Sequence, residues 1–357
     1  MRVRNYAMAL TVVATASWAD GFDVQGGGPE SRFGITAIAI DPSDPSVLYA
    51  GNDDDGLYKS MDRGESWSTL WPLEANDDGL YLHYIQQIEI HPVTSRVYVS
   101  SDNLYLSDDG GTSWRTVPGR LRVAIDPIDP DIMYATEFRN GLRKSLDGGV
   151  TWKAIGDDIT TPGTLAIHPH NPQLLVVNDG DPWQSTDGGD TWTQGHVDSD
   201  TPDVRNMSTI VFDPVNPGTV YAGSGFRRNE GDRGIGVVLK STDAGHTWSV
   251  VSQQPIGKGP VQALAVDHVN PSVLYAGGAT KADDGFYRST DGGGNWTKIH
   301  EGGPSAVVID PLNPSVVYSA MRAIERDVLR FTFDGSKTAV DQTSWGAIKG
   351  STLLIGE

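Results

Sequence analysis

Six copies of the pattern S-x-D-x-G-x-x-W, seven proline corners that each follow an apolar alternating run, and 42 glycines with 21 prolines spread along 357 residues predict an all-β chain. The predicted fold is a single seven-bladed β-propeller built from four-stranded antiparallel blades. A helical bundle does not carry so many turn residues, and a disordered tail would concentrate them. No segment shows a helical period of apolar residues.

Taken in order, the chain opens with Arg2 and Arg4, then a short apolar run from Tyr6 to Ala14, then small residues. Residues 1–19 therefore read as an export signal, with cleavage after Ala16 or Ala19. The expected location is secreted or periplasmic. No later stretch approaches the roughly 18 apolar residues of a membrane span, so no transmembrane segment is expected.

Residues 20–357 are assigned to the propeller, with blades starting near residues 35, 84, 121, 163, 208, 260 and 305. Within the first unit the expected strands are Ile35 to Ile40, Val47 to Ala50, Leu57 to Ser60 and Trp67 to Leu70, all bounded by turn residues. The boxes are Ser60-Asp62-Gly64-Trp67, Ser107-Asp109-Gly111-Trp114, Ser145-Asp147-Gly149-Trp152, Ser185-Asp187-Gly189-Trp192, Ser241-Asp243-Gly245-Trp248 and Ser289-Asp291-Gly293-Trp296. Corners fall at Asp41-Pro42, His91-Pro92, Asp126-Pro127, His168-Pro169, Asp213-Pro214, Asp267-His268 and Asp310-Pro311. The seventh unit keeps its corner and Trp345, but its box has decayed to FTFDGSKTAVDQTSW. Six blades with an irregular end is the competing arrangement. Either Gly21 to Gln25 or Ser351 to Ile355 could supply the outer strand that closes the ring.

The box pattern resembles that of the Asp-box (BNR) propellers, a superfamily that includes sialidases, xyloglucan-degrading glycosidases built from two propellers, sortilin-type receptors and photosystem II stability/assembly factors. The likeness runs from Ile35 to Trp345. It implies the fold and leaves function open, because the box is a turn device: glycine supplies unusual φ, aspartate holds turn N–H groups, and tryptophan covers them. Carboxylates on separate blades do not converge, so the boxes are not read as a catalytic or calcium-binding ring.

In a four-stranded meander the corners and boxes share one face, and the irregular loops share the other, where ligands bind at the channel mouth. On that face Arg139, Arg227, Arg228, Arg233, Arg322 and Arg326 suit an anion such as a carboxylate, or pair with Glu137, Glu230, Asp232 and Glu325. Asp53, Asp54 and Asp55 with Asp283 and Asp284 suit general acid/base work or oxygen ligation, or are solvated turn residues. Trp71, Tyr81, His83 and Tyr84 form a candidate stacking platform for sugar, or pin their own loop. The sequence around Gly26–Gly28, Leu48 to Tyr58 and Trp71-Pro72-Leu73 looks like the opening of the first propeller in the xyloglucan-degrading family, and that likeness puts Asp53 on one catalytic carboxylate. In that family the second carboxylate comes from a second propeller, which this chain lacks. The Arg-Ile-Pro motif of sialidases is missing.

With no cysteine, disulfide scaffolds, thiolate zinc sites and cysteine nucleophiles are excluded. No G-x-S-x-G elbow, P-loop or H-E-x-x-H is present, and no cofactor or metal is expected. A net charge of −19 disfavours nucleic acid, although six box aspartates and seven at the corners make much of that charge turn chemistry. Two partner classes remain: an oligo- or polysaccharide bound at the mouth and cleaved there by a glycoside hydrolase, or a protein docked by a non-catalytic assembly module.

Overall fold

A computed structural model describes residues 16–17, 22–29, 34–52, 56–71, 84–137, 140–198, 206–226, 235–254, 256–257, 259–278, 285–321 and 327–333. All the regular structure in them is strand, arranged as seven antiparallel meanders around a ring. The blades' innermost strands are Ile35–Ile40, Gln87–Ile90, Leu121–Ile125, Leu165–Ile167, Met207–Phe212, Ala263–Val266 and Pro304–Ile309. Blade 1 continues with Leu48–Asn52, Leu57–Ser60 and Ser68–Trp71, one to two residues later at some ends than alternation and turn residues suggest. The second strand is buried throughout in blades 1, 2, 6 and 7, because both its faces meet neighbouring sheets.

The core is divided into seven clusters, one at each seam between blades. At the seam of blades 1 and 2, Ala37, Ala39 and Tyr49 pack on Ile88, Ile90 and Val97. At the seam that completes the ring, Ile38 and Leu48 of blade 1 pack on Val316 and Tyr318 of blade 7. Each face of a sheet is thus half of a core, so a lone blade would leave both faces wet.

Closure is made by the N-terminal candidate. Phe22–Gly26 pairs antiparallel with Val328–Phe333 as the outer strand of blade 7, and Ala16–Ser17 extends that sheet. Phe22 and Val24 are buried there, with Phe22 against Phe331 and Phe333. The alternative closing segment from Ser351, and Trp345 with it, lies outside the described residues. Blade 5 gains a fifth strand, His196–Val197, which runs parallel to Thr247–Val250.

All six boxes fold alike. In the third, the Asp147 carboxylate accepts from the Val150 and Thr151 amides and the Thr151 hydroxyl, while Ser145 donates to it and accepts from the Gly149 amide. The Trp152 indole donates to the Gly149 carbonyl at 3.2 Å. These bonds favour the ionised form, and they hold Asp109, Asp147 and Asp187 at about 2, well below an ordinary carboxylate. Two successive residues in each box are left-handed; four boxes use Gly-Gly, whereas Arg63 and Ala244 take the first position at φ 62° and 60°.

The box is also a joint to the preceding blade. Tyr49 and Lys59 of blade 1 donate to the Gly110 carbonyl in box 2. Tyr134 and Lys144 of blade 3 do the same to Gly188 in box 4, at 2.6 and 2.7 Å. In blade 4, Gln184 replaces the lysine and, with its amide turned to donate, reaches the Ala244 carbonyl at 3.0 Å. Tyr318 of blade 7 reaches the Arg63 carbonyl of box 1. Where the seventh box has decayed, Arg288 of blade 6 lies over the Phe333 ring instead, 4.8 Å from its centroid.

At the corners, five aspartates accept from backbone amides two residues on, four of them also from the amide three on, as Asp126 does from Ile128 and Asp129. His91 and His168 take the same place in blades 2 and 4, accepting through Nδ1. Burial holds both rings below the ordinary histidine pKa, which suits an acceptor nitrogen that must stay unprotonated.

Candidate functional site: the channel mouth

The innermost strands all enter the ring from the loop-bearing face. Their first residues surround a cavity of about 490 Å³, to which every blade contributes. That volume falls in the range of roughly 300–1,000 Å³ usual for small-ligand pockets. Thr36, Gln86 with Gln87, Arg122, Thr164, Ser208, Gln262 and Ser305 line it, one or two from each blade. Among the described residues these are neutral hydroxyl and amide groups with the Arg122 guanidinium.

Much of this lining also ties the blades together. Thr36, Ser208 and Ser305 each sit at a β-bulge. The extra residue turns the hydroxyl toward the next blade. Thr36 Oγ1 lies 3.1 Å from the Gly51 carbonyl of its own blade and 2.6 Å from the Ile85 carbonyl of blade 2. Ser208 repeats this with Gly223 and Val261, and Ser305 with Ala320 and Ile35. The close approach demands small residues: a Cβ on Gly51 would come within 2.6 Å of the Ile85 side chain. Gln87 stitches blade 2 to blade 3 through both the N–H and the C=O of Val123.

Of the candidate catalytic and ligand-binding residues, Tyr84 is the one whose side chain the structure describes. It borders the cavity, is 38% exposed and holds a left-handed φ of 58°. Trp71 ends the outer strand of blade 1 opposite Leu57, with its side chain outside the description. Asp53, Asp54, Asp55, Tyr81, His83, Arg139, Arg227, Arg228, Arg233, Asp283, Asp284, Arg322 and Arg326 lie outside the described residues. The described residues that flank Asp53–Asp55 are at the mouth: Asn52 pairs with Ile35 beside Thr36, and its side chain accepts from the Gly56 amide. Glu137 pairs with Arg143 at 2.7 Å.

Two residues at the site were not singled out in sequence. Arg122 donates to the Gln86 side chain at 3.0 Å and lines the cavity. Below the mouth, Glu89 occupies the inner wall where the other blades place Ala39, Ala124, Ala166, Val211, Ala265 and Val308. It accepts from Gln87 at 3.0 Å, and burial pushes its pKa up to about 7 despite that bond. Glu89 lies deep in the ring yet keeps part of its surface open, because the bore reaches it. Among the described residues no group of three or more carboxylates and histidines is placed to hold a metal ion.

No protein-family model matches the chain. It is similar to the xyloglucanase Xgh74A of Acetivibrio thermocellus, 27% identical over 332 residues that cover 75% of this chain and 38% of that one. The chain therefore spans under half the length of that relative. Among solved structures, the GH74 xyloglucanase of Xanthomonas campestris superposes with a TM-score of 0.67 at 20% identity, over 83% of this chain and 51% of that one. YCF48 of Cyanidioschyzon merolae, a protein also solved bound to a D1 peptide, superposes with 0.61 at 14% identity, over 87% of this chain and 98% of its own. The chain is thus a seven-bladed propeller with xyloglucanase relatives, and it corresponds to about one half of the solved xyloglucanase.

Proposed function

We propose that the chain is an exported propeller that binds an oligo- or polysaccharide at the channel mouth and hydrolyses it as a glycoside hydrolase. The observation that carries this reading is the xyloglucanase similarity across three quarters of the chain. The mouth's chemistry agrees with it: hydroxyl and amide groups suit a neutral polyol, and Arg122 adds a donor at the rim. Glycosidic hydrolysis takes two carboxyl groups, one to protonate the leaving oxygen and one to activate water or attack the sugar carbon. Asp53 is the proposed first, and the acidic cluster it belongs to, with Asp283 and Asp284 of blade 6, is the proposed source of the second.

The test is the full chain assayed on xyloglucan and a panel of other polysaccharides, beside Asp53→Ala and Arg122→Ala. Turnover should vanish in Asp53→Ala with binding retained, and Arg122→Ala should weaken binding by about tenfold. Neither binding nor turnover on any glycan would overturn the reading. Turnover that survives Asp53→Ala would remove the residue assignment alone.

One observation favours a second reading, a protein-docking module. The chain matches YCF48 over nearly that protein's whole length, but the solved xyloglucanase over only half. A protein partner would then use the loop-bearing face with Arg139, Arg227, Arg228 and Arg322, and glycan binding would be absent.

A further inference from the structure

The face opposite the mouth carries an apolar pattern that neither the ring nor glycan binding uses. Each corner lifts one side chain into solvent, two residues after its aspartate or histidine. In five of the seven blades that side chain is aliphatic: Val93, Ile128, Val215, Val269 and Leu312, between 54% and 73% exposed. Ser43 and His170 take the other two places. An exposed turn tip gains no stability from an aliphatic side chain, and polar residues are the usual choice there. Single exposed aliphatics are common on protein surfaces, but recurrence at one repeat position on one face is not scatter. Because the corners join the two innermost strands of each blade, these five tips encircle the far opening of the channel.

The box carboxylates alternate with the corners around the same face, and Asp109, Asp147, Asp243 and Asp291 stand exposed. Lysines and an arginine on this face are already engaged, Lys59, Lys144 and Arg115 each donating to a box carbonyl. Further arginines that could balance the carboxylates are engaged: Arg63 with the buried Asp310 at 2.6 Å, and Arg96 with Asp108. A second copy of this face or an anionic membrane would be repelled.

We propose that this face docks a cationic amphipathic segment of a partner protein, its aliphatic side chains seated among the corner tips and its lysines or arginines against the box carboxylates. Such a segment meets both features at once, and its charge would steer it to the acidic ring.

Calorimetric titration of the full chain tests this with three synthetic peptides of equal length: alternating Leu/Lys, alternating Leu/Glu, and oligolysine. The Leu/Lys peptide should bind and the other two should not. Binding should weaken at least about tenfold in the variant V93S/I128S/V269S/L312S, whose melting should be unchanged because all four side chains are exposed, and it should weaken further in high salt. Equal binding by oligolysine, undiminished binding by the variant, or no binding of the Leu/Lys peptide would overturn the proposal. Binding of a peptide of residues 334–357 in its place, or self-association that the variant abolishes, would also overturn it by assigning the face to the chain's own end or to a second copy.

Discussion

Glu89 carries a proton on the inner wall of the ring where an ordinary glutamate would have lost it. The unfolded chain releases that proton near 4.5, whereas burial holds it to about 7 in the folded chain. The contribution of Glu89 to stability is therefore full below about 4.5 and is progressively lost as pH rises to about 7, because the folded state resists its ionisation. Glu89→Gln should leave stability unchanged near pH 4 and raise it by ~2 kcal/mol near pH 8, a figure reduced from the full shift because the bore leaves the carboxyl partly wet. Urea unfolding at the two pH values checks this, and an equal gain at both would refute it. Nothing in QIEI marks Glu89 as special, since Gln87 and Glu89 alternate with Ile88 and Ile90 as on any half-exposed strand. In a ring the second face meets the neighbouring blade and the bore, and only the assembled structure says so.

At the scale of the element, the box is legible in sequence and its partner is not. S-x-D-x-G-x-x-W announces the turn because Ser, Asp, Gly and Trp all act within eight residues. The Tyr134 and Lys144 donors to Gly188 lie 54 and 44 residues from their acceptor, so local pattern cannot pair them. Removing one donor leaves the other in place: Tyr134→Phe should cost about 1 kcal/mol, and the same change in a Lys144→Met background should cost measurably more. A double-mutant cycle by chemical denaturation reads the difference, and strict additivity would show that the two donors do not share the Gly188 carbonyl. Left-handed backbone offers a gain at the same elements. Ala244 at φ 60° stands where four boxes have glycine, so Ala244→Gly should raise stability by about 1 kcal/mol in the same assay. Any loss would mean that the methyl group packs usefully at the joint.

For the whole molecule, repeat arithmetic was enough to give seven blades, since each unit spends one corner and about four strands and only a ring satisfies both faces of every sheet. The mouth was legible as a place, from the side on which the loops must fall, but Arg122 and the hydroxyl stitches at Thr36, Ser208 and Ser305 were not, because a bulge has no sequence mark here. Closure was open between two segments, both short and apolar, and burial of Phe22 and Val24 against blade 7 decides it. A chain beginning at Asp20 should therefore melt like the full one. A chain beginning at Gly27 should melt about 10 °C lower, because it loses two buried side chains and five strand pairings. Equal melting of the two would show that another segment seals the ring. The closing strand also sets a schedule for folding. Phe22 pairs with Phe333, so the first strand of the ring to be synthesised has its place beside one of the last. Blades 1 to 6 can each form from contacts less than about 60 residues apart, whereas blade 7 must wait for a loop of some 300 residues to close. Throughout that wait the edge of Val328–Phe333 is unpaired, and the time an emerging chain spends in that state, rather than the strength of any one blade, governs its exposure to aggregation.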